Sequence, residues 1–322
     1  MVKGLVSTII PVFNRPLMLA EAVESVLAQT YRPIEIIIVD DGSTDSTANS
    51  ADKLQKNHPG EIRVIHKKNT GPGLSRETGR QNARGEFIQY LDSDDLLLPS
   101  KFEIQVKGLI DNSECDVAYG KTRYRHRNGV AENKAWKESG LVREYMFPSF
   151  LVSRWWDTPT PLYRRGICDK AGAWTNLRVE EDWEYDCRIA SLGVKLFYCN
   201  QFVAEVRDHY GERLCRGKAL DAKKLAERAR AHEMIFHHAI NARIPNVTPE
   251  MQLFARSLFF LSRQCGATGL VKESKFLFEL SIEASGEKRA KGWDYRFYKL
   301  GSSFFGWTTM GKLSCYLDMI RP

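Results

Sequence analysis

The sequence predicts an α/β protein with a mainly parallel sheet, helices on both of its faces, and a helical region after it. Three observations predict this. Short apolar, β-branched runs alternate with segments of helical periodicity through the first third of the chain. Polar clusters stand at the carboxyl ends of successive runs, and beyond Arg207 the β-rich runs stop while helical periodicity continues.

The elements follow in order. Leu5 to Val12 is apolar and β-branched, as in a buried strand. Pro16 suits a first helical turn, and Leu19, Val23, Val26 and Leu27 recur at helical spacing behind it. Ile34 to Val39 is a second strand, closed by Asp40-Asp41-Gly42; Ser43 to Ser46 offers caps for a helix running toward Lys56. Ile62 to Ile65 is a third strand, Leu74–Ala83 a helix, and Phe87 to Leu91 a fourth strand. The pattern is then mixed: a helix at Phe102 to Ile110, a strand at Val117 to Tyr119, a strand or hairpin over Thr122 to Val130, a helix at Glu180 to Leu192 and a strand at Val194–Tyr198. Lys218–Ala242, Thr248–Gln264 and Leu270–Ala284 read as three helices separated by Pro or Gly, which places a domain boundary near residue 210.

Length and composition narrow the class of protein. The 322 residues, 43% hydrophobic and 27% charged, suffice for a large α/β domain with an annex and exclude a disordered chain. The net charge of +7 is uneven: residues 1–206 hold 27 Lys and Arg against 28 Asp and Glu, and residues 207–322 hold 20 against 12. This points to an anionic partner for the last third or to a solvated basic helical surface. Seven scattered cysteines without a CxxC pair suggest reduced thiols in a cytosolic protein, not a disulfide frame or a zinc site. The N-terminus does not read as a signal peptide, and no apolar stretch approaches the ~20 residues of a spanning helix.

In a parallel sheet the ligand site lies beyond the carboxyl ends of the strands. Asn14-Arg15, Asp40-Asp41 and Asp92-Ser93-Asp94-Asp95 stand at three such ends and should converge in one crevice. In an extended strand end Asp92 and Asp94 point to the same side; carboxylates ~4 Å apart repel by roughly 4 kcal/mol at an effective dielectric near 20. A divalent cation offsets that repulsion, and Mg²⁺ completes a shell of one or two carboxylates with water and phosphate oxygens. Turn formation and capping are the alternative. Asp45 and Ser43 suit capping, whereas Asp41 suits acceptance from a ribose hydroxyl or a uracil imide. Asn69-Thr70-Gly71-Pro72-Gly73 is a Gly-rich loop of neither the dinucleotide nor the P-loop pattern. The helix after it aligns Arg76, Arg80 and Arg84, of which one or two can meet phosphate or base. Glu180-Glu181-Asp182 exceeds what a helix start needs, and an ionised carboxylate there can serve as a general base. His209 suits a metal ligand, a phosphate contact or a structural histidine.

Taken together, Ser7-Thr8-Ile9-Ile10-Pro11-Val12-Phe13-Asn14, Val39-Asp40-Asp41-Gly42-Ser43-Thr44-Asp45, Asn69-Thr70-Gly71 with Arg76, Gly85-Glu86-Phe87-Ile88, Leu91-Asp92-Ser93-Asp94-Asp95 and Glu181-Asp182 resemble glycosyltransferase family 2, with its GT-A fold, over roughly residues 5–210. The resemblance implies a nucleotide-sugar-binding catalytic domain at 1–210 and inverting transfer of a hexosyl or N-acetylhexosaminyl group. The donor would be a nucleotide-sugar, a UDP-sugar first of all, and the acceptor a hydroxyl of a glycan or lipid-linked acceptor in cell-surface polysaccharide biosynthesis. By the same likeness Pro11, Phe13, Asn14, Asp41 and Arg76 line the nucleoside pocket, with Asp92 and Ser93 at the diphosphate. Asp94, Asp92 and, by a looser pattern, His209 would hold Mn²⁺ or Mg²⁺, and Asp182 would be the catalytic base. The additional acid at Glu180 lets Glu181 share or replace that role. Residues 211–322 match no motif of the family. Their aromatic and basic run from Trp293 to Trp307 suits either packing among helices or an anionic membrane surface, which makes the expected location cytoplasmic or peripheral at the inner face of the plasma membrane.

Two other activities compete. A nucleotidyltransferase that makes nucleotide sugars should carry a basic Gly-rich loop straight after the first strand, where Pro11-Val12-Phe13-Asn14 stands instead. A non-catalytic nucleotide-sugar-binding subunit should lack Asp92, Asp94 or Asp182. Nucleic acid is not expected as a partner, since no binding module accompanies the basic region.

Overall fold

The structure of the protein, a computed structural model, describes residues 1–209, 220–290 and 292–320. It divides into two units that are not contiguous in sequence. One comprises Met1–Met146, Arg154–Asn176 and Leu192–Gly211; the other comprises Phe147–Ser153, Leu177–Ser191 and Glu212–Pro322. The expected division at residue 210 is a boundary along the chain, while the compact units take two earlier segments to the C-terminal side.

The first unit is built on an eight-stranded sheet of order β3-β2-β1-β4-β7-β6-β8-β5. Its strands are β1 (Val2–Val12), β2 (Ile34–Asp40), β3 (Ile62–His66), β4 (Gly85–Tyr90), β5 (Leu96–Leu97), β6 (Cys115–Arg125), β7 (Leu162–Arg164) and β8 (Lys195–Arg207); its helices are α1 (Pro16–Leu27), α2 (Thr47–Asn57), α3 (Pro72–Asn82), α4 (Lys101–Asp111) and α5 (Arg165–Ala171). β1 pairs in parallel with β2 and β4, as β2 does with β3 and β6 with β8. β7 is antiparallel to both β4 and β6, and β5 is antiparallel to β8. All seven residues of β2 are buried, and the stretch Ile36 to Val39 between Glu35 and Asp40 is accordingly wholly apolar. Leu19, Ala22, Val23 and Val26 of α1 join Val6, Ile10, Ile36 and Ile38 in one core, and Phe102, Val106 and Leu109 of α4 extend it. Thr122–Val130 includes the end of β6 and a hairpin turn in which His126 N–H donates to the Val130 carbonyl at 2.8 Å.

Register explains why the strand ends converge. Val12 lies opposite Asp40, and the Asp41 N–H donates to the Val12 carbonyl at 2.9 Å, so the loop after β1 adjoins the loop after β2. Leu91 N–H donates to Ile9 O at 3.0 Å, which brings the chain after β4 beside them. Leu96 opposite Glu205 brings the end of β8 to the same loop.

The second unit is helical: α6 (Glu181–Ala190), α7 (Ala222–Asn241), α8 (Pro249–Ala267), α9 (Val271–Ala290), α10 (Trp293–Phe305) and α11 (Trp307–Ile320), with a short 3-10 turn at Ser149–Leu151. Asp221 caps α7 by accepting from the Lys223 and Lys224 amides, and Thr248 caps α8. The start predicted for the first of these helices, Lys218, lies outside the described residues. α9 runs past the predicted Ala284 and is kinked at Gly286, whose φ of 72° is a left-handed conformation. Two further helices, α10 and α11, follow where no helix is predicted. Tyr295 and Tyr298 of α10 are buried with Phe278 against Phe259 and Trp307, so part of the aromatic run is packing. Cysteines 115, 168, 187, 199, 265 and 315 are free thiols, and Cys215 lies outside the described residues. Among the described residues no helix is long and apolar enough to cross a membrane.

Candidate functional site

The site in the sheet unit begins with Asp41. Its carboxylate is almost fully buried and accepts from the Thr70 amide at 2.9 Å, the Gly71 amide at 2.8 Å and Lys67 Nζ at 3.0 Å. The Gly-rich loop is thereby tied to the end of β2. The approach is close enough to require glycine at 42: its φ is 76°, and a Cβ there would meet the Asn69 nitrogen at 2.9 Å. Asp40 is occupied differently, accepting from Ser43 N–H at 3.1 Å and meeting His66 Nδ1 at 3.0 Å. His66 also meets Asp52 at 2.9 Å; hydrogen bonding to Asp40 and then Asp52 raises its pKa above the ordinary imidazole value.

Asn14, at a left-handed φ of 52°, closes the β1 loop onto the β2 loop through Thr44 N–H (2.8 Å to its Oδ1) and through its own N–H to Ser43 Oγ (3.0 Å). Ser43 therefore ties two loops together and caps no helix, whereas Asp45 does accept from the Thr47 amide at 2.9 Å at the head of α2. Pro11 is buried within β1 opposite Val39, and Phe13 stands exposed just past the strand.

The acidic tetrad is not extended. Asp95 N–H donates to the Asp92 carbonyl at 3.0 Å and closes a turn, so the expectation that Asp92 and Asp94 share one side of a strand end is corrected. Asp92 accepts from Arg76 Nη2 at 2.7 Å; that guanidinium is buried, 4.9 Å over the Trp174 ring. Asp94 Oδ2 pairs with Arg15 and lies 2.8 Å from His209 Nε2, itself buried. Asp95 and Ser93 point into the interior. Burial first, and the Asp94 and Asp92 charges second, push Asp95 well above the carboxylate range, although Arg207 N–H donates to it at 3.1 Å. Arg207 also donates from Nε to the Asp94 carbonyl at 2.5 Å and pairs with Glu21. With Glu21, Glu24, Leu96 and Arg125 it lines an open cleft of about 490 Å³.

Of the three aligned arginines, only Arg76 meets the strand-end acids in this way. Arg80 binds Glu77 and Asp169. Arg84 falls beyond the end of α3 and binds Glu35, so its placement on one helix face with the others is corrected. Lys67 and Trp174 escaped the reading of the sequence; Lys67 carried a signal in its place three residues before Thr70, and Trp174 carried none.

In the helical unit, Glu180 precedes α6 in a left-handed conformation (φ 59°, ψ 16°) and is held by Arg228 Nε at 2.7 Å and His232 Nδ1 at 3.1 Å. Burial alone would raise its pKa, but His232 and Arg228 outweigh burial and hold it below the usual value. Glu184, one turn into α6, is buried and held by Arg188 Nη2 at 2.7 Å and His238 Nε2 at 2.8 Å. Between these anchors Glu181 is 6% exposed, while Asp182 is half-buried and accepts from the Trp183 amide at 2.7 Å. Glu180 is thus an anchor of the helix start, and Asp182 is the more accessible of the two acids that follow.

Among the described residues no group of three His, Cys, Asp or Glu side chains forms a metal cage. The donor set that does converge, the Asp94 carboxylate with the His209 imidazole, suits an ion that takes few protein ligands and fills its shell from phosphate and water.

Comparison with known proteins agrees with this geometry. An uncharacterized glycosyltransferase of Rickettsia felis is 40% identical over 146 residues, 45% of this chain and 23% of that protein; the chain thus matches about a quarter of that relative's length. Among solved structures, Staphylococcus aureus TarS 1–349 in complex with UDP-GlcNAc is similar with a TM-score of 0.68 at 17% identity, over 97% of this chain and 92% of that one. The mannosyltransferase PcManGT from Pyrobaculum calidifontis, in complex with GDP-Man and Mn²⁺, gives 0.51 at 17% identity, over 95% and 83%. At these identities the structural likeness is one of fold, the GT-A glycosyltransferase fold. The family model described as glycosyl transferase family 2 matches residues 7–168, half of the chain and the part that carries Asp40, Asp41 and the tetrad Asp92 to Asp95, and the chain belongs to that family.

Proposed function

We propose that the protein is an inverting glycosyltransferase that moves a sugar from a UDP-sugar to a hydroxyl of a glycan or lipid-linked acceptor in cell-surface polysaccharide assembly. The observation that carries this reading is the strand-end cluster. Arg15, Arg76 and His209 meet the Asp94 and Asp92 carboxylates beside a backbone loop pinned by Asp41. Cations paired with acids at the carboxyl ends of a parallel sheet suit a diphosphate, which offers the arginines new partners. The fold likeness to TarS, solved with UDP-GlcNAc, supports a uridine donor. In the transfer, the acceptor oxygen bonds to the anomeric carbon as the bond from that carbon to the diphosphate oxygen breaks. The electron pair leaves with the nucleoside diphosphate, and the acceptor's proton passes to a carboxylate, which we assign to Asp182.

The Asp94 and His209 pair fits a divalent cation that takes few protein ligands. Asp94 with His209 would hold Mn²⁺ or Mg²⁺, which would supply Lewis-acid neutralisation of the departing diphosphate. Arg76 orients Asp92, and Arg207 holds the Asp94 carbonyl through its Nε.

The test is nucleotide release from a panel of UDP-, GDP- and dTDP-sugars with Mn²⁺, with Mg²⁺ and with chelator. Release from a UDP-sugar that stops with chelator and in Asp94→Asn is the expected result. Release unaffected by chelator and by Asp94→Asn would overturn the metal assignment; turnover of none of the donors would overturn the reading as a whole.

A further inference from the structure

Helix α10 is apolar on two opposite faces. The inner one, Tyr295 and Tyr298, packs with Phe278, Phe259 and Trp307. The outer one is Trp293, Phe297, Leu300 and Phe304, exposed by 73, 63, 56 and 76%. Spacings of four, three and four set these side chains in one line, about 17 Å long at the rise of an α-helix. The Trp293 and Phe297 rings stack on each other at 5.6 Å and both remain largely exposed. Arg296 and Lys299, both exposed, lie to one side of the line and Asp294, also exposed, to the other, while Phe305, 70% exposed, follows Phe304 at the helix end, turned away from the line. On α11, Leu313, Tyr316 and Leu317 are exposed as well. Single exposed apolar residues are ordinary, but an aligned aromatic row on a face that should be polar marks a surface that something covers.

We propose that this row docks on an anionic phospholipid surface, with its aromatic rings at the boundary of headgroups and acyl chains and Arg296 and Lys299 at the level of the phosphates. Charge selects the occupant. Residues 207–322 hold 20 Lys and Arg against 12 Asp and Glu, so apposing two copies concentrates like charge, whereas an anionic bilayer attracts it. A coiled-coil seam needs its repeat sustained over three or four heptads, and this row covers less than two. No described helix crosses a membrane, so the attachment lies in the interfacial plane. Trp at one end, Phe and Leu along the line and basic residues beside it are the composition such a helix uses.

The experiment is sedimentation of the full chain with phosphatidylcholine vesicles, with and without phosphatidylglycerol, over a range of salt. Binding is expected only with phosphatidylglycerol, weakening as salt rises. Arg296→Ser and Lys299→Ser should each weaken it roughly 5-fold. Trp293→Ser combined with Phe297→Ser should weaken it by more than about 10-fold. All these side chains are exposed, so circular dichroism and nucleotide release in solution should stay as in the parent. Equal binding to neutral vesicles, no binding to anionic ones, or parent-like binding by the double variant would each overturn the proposal. So would a fall in sedimentation-equilibrium mass in the double variant, which would assign the row to a second copy of the chain.

Discussion

Asp41 offers the sharpest test of how the site is built. In Asp41→Asn the side chain keeps its shape but exchanges one acceptor oxygen for a donor. The carboxylate oxygens serve three donors: Oδ1 takes the Thr70 amide and Lys67, and Oδ2 takes the Gly71 amide. The amide therefore keeps at best the Oδ1 pair and turns an N–H against the Gly71 N–H. A hydrogen bond to a charged group contributes about 1.5–3 kcal/mol, and the buried Gly71 N–H is left without an acceptor. Weakening of the Lys67 contact adds to this, so local stabilisation of the loop should fall by about 3 kcal/mol, equivalent to roughly 100-fold in its opening equilibrium.

Hydrogen exchange of the segment that includes Asn69 to Arg76, followed by mass spectrometry on the full chain, reads this opening directly. Global unfolding is a poorer measure, since a chain of two units need not unfold in one step. Exchange should accelerate by about two orders of magnitude in this loop and stay unchanged in β6. Acceleration below about 5-fold, with donor affinity nonetheless lost, would refute the reasoning: Asp41 would then act on the nucleoside itself and not through the loop.

Other outcomes follow from the same structure. Asp182→Asn should lower turnover by ~100-fold or more with little loss of donor binding, measured by nucleotide release and donor titration, while the more buried Glu181→Gln should cost less. Glu180 and Glu184 both have pKa values below the ordinary range, because their basic partners outweigh burial. The stability they give the helical unit is thus complete above about pH 4.3 and lost as pH falls through their lower folded values; Glu184→Gln should flatten that acid limb in pH-dependent denaturation. Lys101 is buried, and burial lowers its pKa to about 7, while Nζ donates to the Thr160 carbonyl at 2.8 Å and to Gln105. The unfolded chain holds that proton to about pH 10.4, so the sheet unit should gain stability as pH rises from 7 toward 10; in Lys101→Met the gain should disappear from urea midpoints taken across that range.

What could be read from the sequence depended on how many neighbours decided each feature. β1, β2 and β4 are largely buried in the sheet and therefore rich in apolar and β-branched residues, so their strands and the acids at their ends were legible. Leu162–Arg164 and Leu96–Leu97 are strands only because β4, β6 and β8 run beside them; three and two residues carry no periodicity of their own. β8 reaches Arg207, past the predicted Tyr198, because β6 pairs along it through several register shifts. α10 does carry an apolar row at helical spacing, Trp293, Phe297, Leu300 and Phe304, so the signal for this helix stood in the sequence; what did not was that Tyr295 and Tyr298 pack inward, which Phe259, Phe278 and Trp307 decide. The acids were legible as a cluster, and Arg15, Arg76 and His209 as residues of the same site, yet the individual pairs were not, since these partners lie 79, 16 and 115 residues away from the carboxylates they meet.

Those partners change how the acidic tetrad is understood. Adjacent carboxylates repel strongly enough to demand compensation, and a divalent cation is one means of supplying it. Here each acid is compensated separately: Asp92 by a buried arginine that also lies over Trp174, Asp94 by Arg15 with His209, and Asp95 by burial that favours its neutral form. The cluster therefore holds its shape on protein groups alone. A diphosphate reaching these strand ends competes with the carboxylates for Arg15 and Arg76. Each arginine that turns to a phosphate leaves a carboxylate whose charge must be met again, and for Asp94 what remains beside it is an imidazole nitrogen. On the proposed reading, donor and divalent cation therefore bind with positive coupling, the donor drawing the arginines away and the cation meeting the carboxylate charge they leave.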